Sequence, residues 1–148
     1  MSDNNSIFPI PTARDLRIFQ LNSEQVLVIG CDSSGGIGPK PLDKLKVDGF
    51  TLGKFTARVA LMEIMSVGAK PQCIVDNLCV ELEQSGLEIL NGIRNEAVKA
   101  GLDPNLAVTG SAEKNFAVEQ TGIGITAIGL CDKKKLRIGK SKTVDAVV

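Results

Sequence analysis

Residues 25–40 read Gln25-Val26-Leu27-Val28-Ile29-Gly30-Cys31-Asp32-Ser33-Ser34-Gly35-Gly36-Ile37-Gly38-Pro39-Lys40. The first seven form an apolar, β-branched run bounded by polar residues, the pattern of a strand buried on both faces. A carboxylate, Asp32, follows at the strand's carboxyl end, and a glycine-rich loop at once after it. Glycines let backbone N–H groups approach phosphate oxygens, and an aspartate beside them can hold Mg²⁺. Lys40 then offers a point charge to a phosphate. The same residues also make an Asx-type turn with flexible glycines, and local sequence does not separate the two. Two familiar phosphate loops are excluded. The G-x-x-x-x-G-K-[ST] pattern is absent, and Gly36-Ile37-Gly38 runs into Pro39-Lys40-Pro41 rather than into a dinucleotide-binding helix.

Downstream, a helix is predicted over 52–67, with Thr51 as N-cap and Gly68 plus Pro71 as its stop. Its apolar residues wrap nearly the whole circumference, which points to burial in a core or an interface. Glu63 stands out, because a carboxylate in so apolar a helix needs a partner or a metal. A salt bridge to Arg58, a narrow solvent edge, and a metal shared with Asp32 are the three readings. A second strand is predicted over 72–82. Asp76 interrupts it, either as a third metal ligand or as a bulge residue. Ser85-Gly86-Leu87-Glu88 is a capping box opening a helix that Gly101 closes near residue 100. Two more strands are predicted, over 105–110 and 122–130, separated by the polar loop 111–116. A lysine-rich turn follows at 133–135. The closing Val144-Asp145-Ala146-Val147-Val148 looks like the start of a strand, the mark of one half of a longer architecture.

Composition narrows the chemistry. The chain has 148 residues, enough for one domain with a real core. Lys plus Arg equals Asp plus Glu at 17 each, so nucleic acid is an unlikely partner. The run Lys133-Lys134-Lys135 with Arg137 reads as a solvated turn. No His, Trp or Tyr is present. Histidine-based triads are therefore excluded, and so is the commonest zinc ligand. The four cysteines form no C-x-x-C pair, and Cys31, Cys73 and Cys79 sit in apolar runs that suit buried strand positions. The polar start lacks the features of a signal peptide, and no apolar run is long enough to span a membrane. The expected compartment is the cytoplasm. Residues 1–13 are expected to be a flexible arm, and 14–148 a single domain.

The motifs in order carry a resemblance. Asp32-Ser33-Ser34-Gly35-Gly36-Ile37-Gly38 resembles the strand-ending Asp and glycine loop of the aminoimidazole ribonucleotide (AIR) synthase-like superfamily. That group includes selenophosphate synthetase and thiamine-monophosphate kinase. Ala60-Leu61-Met62-Glu63-Ile64 with Gly68-Ala69-Lys70-Pro71 resembles its signature helix, with Glu63 where Asp is usual. Thr109 through Phe116 and Gln120-Thr121-Gly122-Ile123-Gly124 resemble an AIR synthase-related branch that includes α-ribazole kinase.

The resemblance implies an α+β fold, a mixed sheet packed against two helices and completed into a barrel by homodimerisation. It implies ATP and Mg²⁺ as cofactors, and phosphoryl transfer to a small-molecule substrate. By position, Asp32, Glu63 and Asp76 would be metal ligands. Ser34, Gly35, Gly36, Gly38 and Glu113 would lie against the nucleotide, and Asp32 and Lys40 would serve the chemistry. The family's second domain is absent from this sequence. An inert, truncated nucleotide-binding or dimerisation module is the alternative.

Overall fold

The computed structural model describes Pro9–Ile10 and residues 15–139. Most of the expected arm and the strand-like residues 144–148 lie outside the described residues. Within them the fold is α+β, a six-stranded sheet with helices on one face. The strands are β1 (Pro9–Ile10), β2 (Arg17–Gln20), β3 (Gln25–Gly35), β6 (Lys70–Glu81), β7 (Val108–Glu113) and β8 (Gly122–Asp132), in the order β1-β2-β3-β8-β6-β7. All neighbours are antiparallel except β6 and β7, which run parallel. A parallel pair needs a crossover, and the helix α2 (Leu87–Lys99) supplies it. Two short strands, β4 (Ile37–Gly38) and β5 (Leu45–Lys46), pair with each other in the segment leading to α1 (Gly49–Ser66).

Strand β3 continues four residues past its expected end. Residues 32–35 are paired with 122–125 of β8, so Asp32 lies inside the ladder and the turn begins only at Gly36. Gly36 and Gly38 have φ of +69° and +147°, backbone that favours glycine. Helix α1 also starts earlier than expected. Its N-cap is Asp48, whose side chain accepts from the Thr51 N–H. The expected capping box is replaced by a π-helical turn, Leu82–Gly86, in which Ser85 is buried. The expected strand at 105–110 begins as a helical turn, α3 (Pro104–Ala107), capped by Asp103. Strand β7 then takes up residues read as loop.

The core lies between the sheet and the helices. Val26, Val28, Ile64, Ile74, Ile93 and Ile125 are almost wholly removed from solvent. Alternation along β3 and β8 sends Val26, Val28, Ile123, Ile125 and Ala127 toward α1, and Leu27, Ile29, Ile128 and Leu130 to the opposite face. Among the described residues no helix covers that opposite face. Cys31 and Cys79 project from it and are exposed, which corrects the expectation that they are buried; Cys131, on the helix side, is buried.

The helix α1 is not buried all round either. Phe55, Val59, Met62 and Met65 stay 42–61 % exposed. Its inner face packs closely on α2, where a side chain on Gly53 would collide with the Ile89 carbonyl and one on Gly92 with the Phe50 carbonyl. Arg58 joins the two helices through Glu96 at 2.9 and 3.0 Å. That pairing overturns the proposed Arg58–Glu63 bridge. Among the described residues no helix is long and apolar enough to cross a membrane.

Candidate functional site

Asp32, Ile125, Asp76 and Gly110 form one row across β3, β8, β6 and β7, all on the helix-facing side. The two aspartates therefore flank Ile125 from adjacent strands, roughly 10 Å apart by strand spacing. Two residues before Asp32, Gly30 leaves room for Glu63. The Glu63 Oε2 lies 3.3 Å from the point where a Gly30 Cβ would stand. Glu63 thus reaches from α1 onto the same face of β3 as Asp32, about 7 Å along the strand. Its carboxylate borders a cavity of about 140 Å³ with Asp15, Leu16, Ser66 and Arg137. Among the described residues no group of three carboxylates or thiols is gathered closely enough to hold a metal ion.

The glycine segment is fastened rather than loose. Asp43 is buried and accepts from the Thr121 N–H at 2.7 Å, the Thr121 hydroxyl at 2.6 Å and the Lys40 N–H at 2.8 Å. Burial pushes its pKa up, but the Thr121 hydroxyl and these N–H donors outweigh burial and hold it below the usual value. Gly36 donates to the Thr121 carbonyl, and Leu42 to the Glu119 carbonyl. Lys46 reaches the Lys40 and Pro41 carbonyls. Asp43 carried no signal in the sequence, since Thr121, which makes two of its three bonds, lies 78 residues away.

Lys40, expected to face a phosphate, is buried and paired with Glu81 at 2.5 Å. Glu81 also accepts from the Val118 N–H. The Lys40 ammonium holds the Glu81 carboxyl far down, at about 2. Ser34 is half-buried on the helix side, and nothing lies within 4 Å of the Gly35 side-chain position. Glu113 is turned onto its own chain, accepting from the Asn115 and Lys114 N–H groups at 2.6 and 2.8 Å. Those N–H bonds, Asn115 first, lower its pKa.

Asp76 is the anomalous carboxylate. It is only 4 % exposed, and burial raises its pKa to about 6 despite the field of Arg94. Among the described residues no other residue hydrogen-bonds its side chain.

Proteins of known structure share this fold. A thiamine-monophosphate kinase from Stenotrophomonas maltophilia is 17 % identical, with a TM-score of 0.54 over 88 % of this chain and 39 % of its own. AaThiL, solved with AMPPCP and TMP, is 14 % identical, with a TM-score of 0.61 over 78 % of this chain and 35 % of its own. PurL from T. maritima, solved with ATP, is 13 % identical, with a TM-score of 0.53 over 82 % of this chain and 21 % of its own. This chain therefore spans between about one fifth and two fifths of these proteins. No curated protein is significantly similar to it. The motif order, the fold and the sequence comparison converge: residues 13–131 match the family described as AIR synthase related protein, N-terminal domain, and the chain belongs to that family.

Proposed function

We propose that the chain is the ATP- and Mg²⁺-binding part of a phosphotransferase. Its acceptor would be a small nucleoside-like or phosphorylated metabolite, with α-ribazole the specific candidate. The observation that carries this reading is Glu63 reaching over Gly30 onto the face of β3 that bears Asp32. Mg²⁺ commonly takes one or two carboxylates and fills its remaining positions with phosphate oxygens and water. The pair Asp32 and Glu63 fits that demand. Bound there, the ion would supply positive charge to the phosphates, which is most of what phosphoryl transfer asks of its site.

The chain's own residues do the positioning. The Asp43–Thr121 anchor fixes the glycine turn next to Asp32. Ser34, Gly35, Gly36 and Gly38 would lie against the nucleotide. Lys40 is held by Glu81 at the base of the same segment, so a phosphate would share that cation with Glu81. Complexes of AaThiL with AMPPCP and of PurL with ATP support the nucleotide. Calorimetric titration of Mg-ATP tests the reading, with Asp32→Asn and Glu63→Gln beside the parent. Mg²⁺-dependent heat lost in both variants is expected; equal heat in all three overturns the assignment.

The uncovered sheet face favours a second feature, homodimerisation. Leu27, Ile29, Ile128 and Leu130 form a half-buried apolar patch there, and a second copy would close the two sheets into a barrel. It also keeps the inert-module reading in play, since a dimer without Mg-ATP heat would be that module. A solution mass of one chain would remove the dimer.

A further inference from the structure

Helix α1 carries an apolar stripe on the side away from its buried residues. Phe55, Val59, Met62 and Met65 follow one another at spacings of four, three and three residues, which is one face of a helix. The buried Gly53, Ala57, Ala60 and Ile64 lie on the opposite face, toward α2 and the sheet. The four stripe residues are on average half exposed. At roughly 200 Å² for a fully exposed side chain of this size, they present about 400 Å² of apolar surface, as large as patches that usually serve contact. The stripe is also self-complementary. Its midpoint falls at Ala60, and a second copy of α1 turned end for end about that point sets Val59 opposite the partner's Met62. Phe55 then stands opposite the partner's Met65, each pair level to within about 1 Å. A thioether against an aromatic ring is a favourable contact. Phe55 is already held for it, with Lys54 Nζ 5.3 Å and Arg58 Cζ 4.9 Å from its ring centre, so pairing costs the ring little further freedom. Charge favours the same alignment. The last turn of α1 contains no basic residue, and antiparallel pairing brings Lys54 of each copy to the carbonyl end of the other helix.

We infer that the outer face of α1 binds the same face of a second copy of this chain, the two helices antiparallel. The two stripes together come to roughly 800 Å², below the roughly 1,200 Å² of a stable interface. The contact is therefore weak and fills as concentration rises. It lies across the domain from the sheet face, and it is independent of the nucleotide reading. With both faces in use each copy has two neighbours, and the assembly passes beyond a dimer.

Sedimentation equilibrium of the full chain, over about a hundredfold range of concentration, reads the contact. Ile128→Lys blocks the sheet face, so its mass should rise from one copy toward two through α1 alone. Adding Val59→Lys or Met62→Glu should weaken that association at least about tenfold, since each buries a charge against an apolar side chain. An equal mixture of these two chains should regain it, because the lysine of one copy then meets the carboxylate of the other in the antiparallel register. Both sites are exposed, and circular dichroism should show an unchanged fold. In the parent background either α1 substitution should halve the mass reached at high concentration, a comparison that holds even where Ile128→Lys unfolds. Three results would overturn the inference: a mass that α1 substitutions leave unchanged, a folded Ile128→Lys chain that stays single throughout, or a mixture that associates no better than its parts. The first two would leave the stripe to a different molecule. Mg-ATP heat that depends on Asp32 survives all three.

Discussion

The Asp76 carboxylate on the neighbouring strand occupies the space that a side chain on Gly110 would fill, its Cγ and Oδ1 lying where a Gly110 Cβ would stand. A methyl group there would meet both this carboxylate and the Asp76 carbonyl. Gly110→Ala is therefore expected to loosen the β6–β7 pair and cost about 1–3 kcal/mol. Denaturant unfolding measures the cost, and an unchanged midpoint would contradict the close approach.

Asp76 also sets a pH dependence. Its pKa of about 6 lies above the ordinary value of 3.8, so between those values the folded chain holds a proton that the unfolded chain has lost. Stability from this group falls as pH rises through that window, and the deficit is complete above pH 6. Asp76→Asn should be more stable than the parent at pH 7.5 by about 1–3 kcal/mol, with the gain vanishing near pH 4. Urea melts across pH 4–8 test the slope.

Glu81 runs the opposite way. Paired with Lys40, it titrates near 2 instead of 4.5. Its contribution is whole above pH 4.5 and is lost as pH falls toward 2. Glu81→Gln should flatten acid unfolding in that range and lower the melting temperature at pH 7, because it leaves the buried Lys40 cation without its partner. Scanning calorimetry at pH 3 and pH 7 gives both readings.

Asp43 is the anchor most sensitive to truncation. Asp43→Ala strands the Thr121 N–H and hydroxyl and the Lys40 N–H. The expected loss is on the order of 2–4 kcal/mol. If Mg-ATP binds at Asp32, affinity should fall with it, because the glycine turn loses its fastening. Thr121→Val, which removes one of the three bonds, should cost about 1 kcal/mol.

Local patterns made much of this fold legible. The β-branched run 25–31, the Gly68/Pro71 stop and the Gly101 closure each act within a few residues, and each marks a real element. The glycine loop and Glu63 stand out in the sequence for the same reason, as departures from their apolar surroundings. Local signals mislead where long-range contacts override them. Asp32 to Gly35 read as loop because small polar residues favour turns, but β8 supplies a partner for every one of them. Ser85 read as a cap because nothing nearby showed that a π-turn would bury it. Arg58 suggested Glu63 by its spacing on α1, whereas Glu96 on α2 holds it. The setting of Asp43 and the burial of Asp76 depend on segments distant in sequence, so no window of the chain displays them.

The pairing of β3 with β8 also governs the order of folding. Gln25 meets Asp132 and Gly35 meets Gly122, so the central ladder joins strands separated by most of the described chain. Such distant pairings fold slowly, because a long loop must close before the contacts reward it. At a synthesis rate of about 5–20 residues per second, β3 would leave the ribosome roughly 5–20 s ahead of the strand it needs. Through that interval β2 is its one strand neighbour among the described residues, and the nascent chain presents a sticky edge that a holding chaperone is suited to cover.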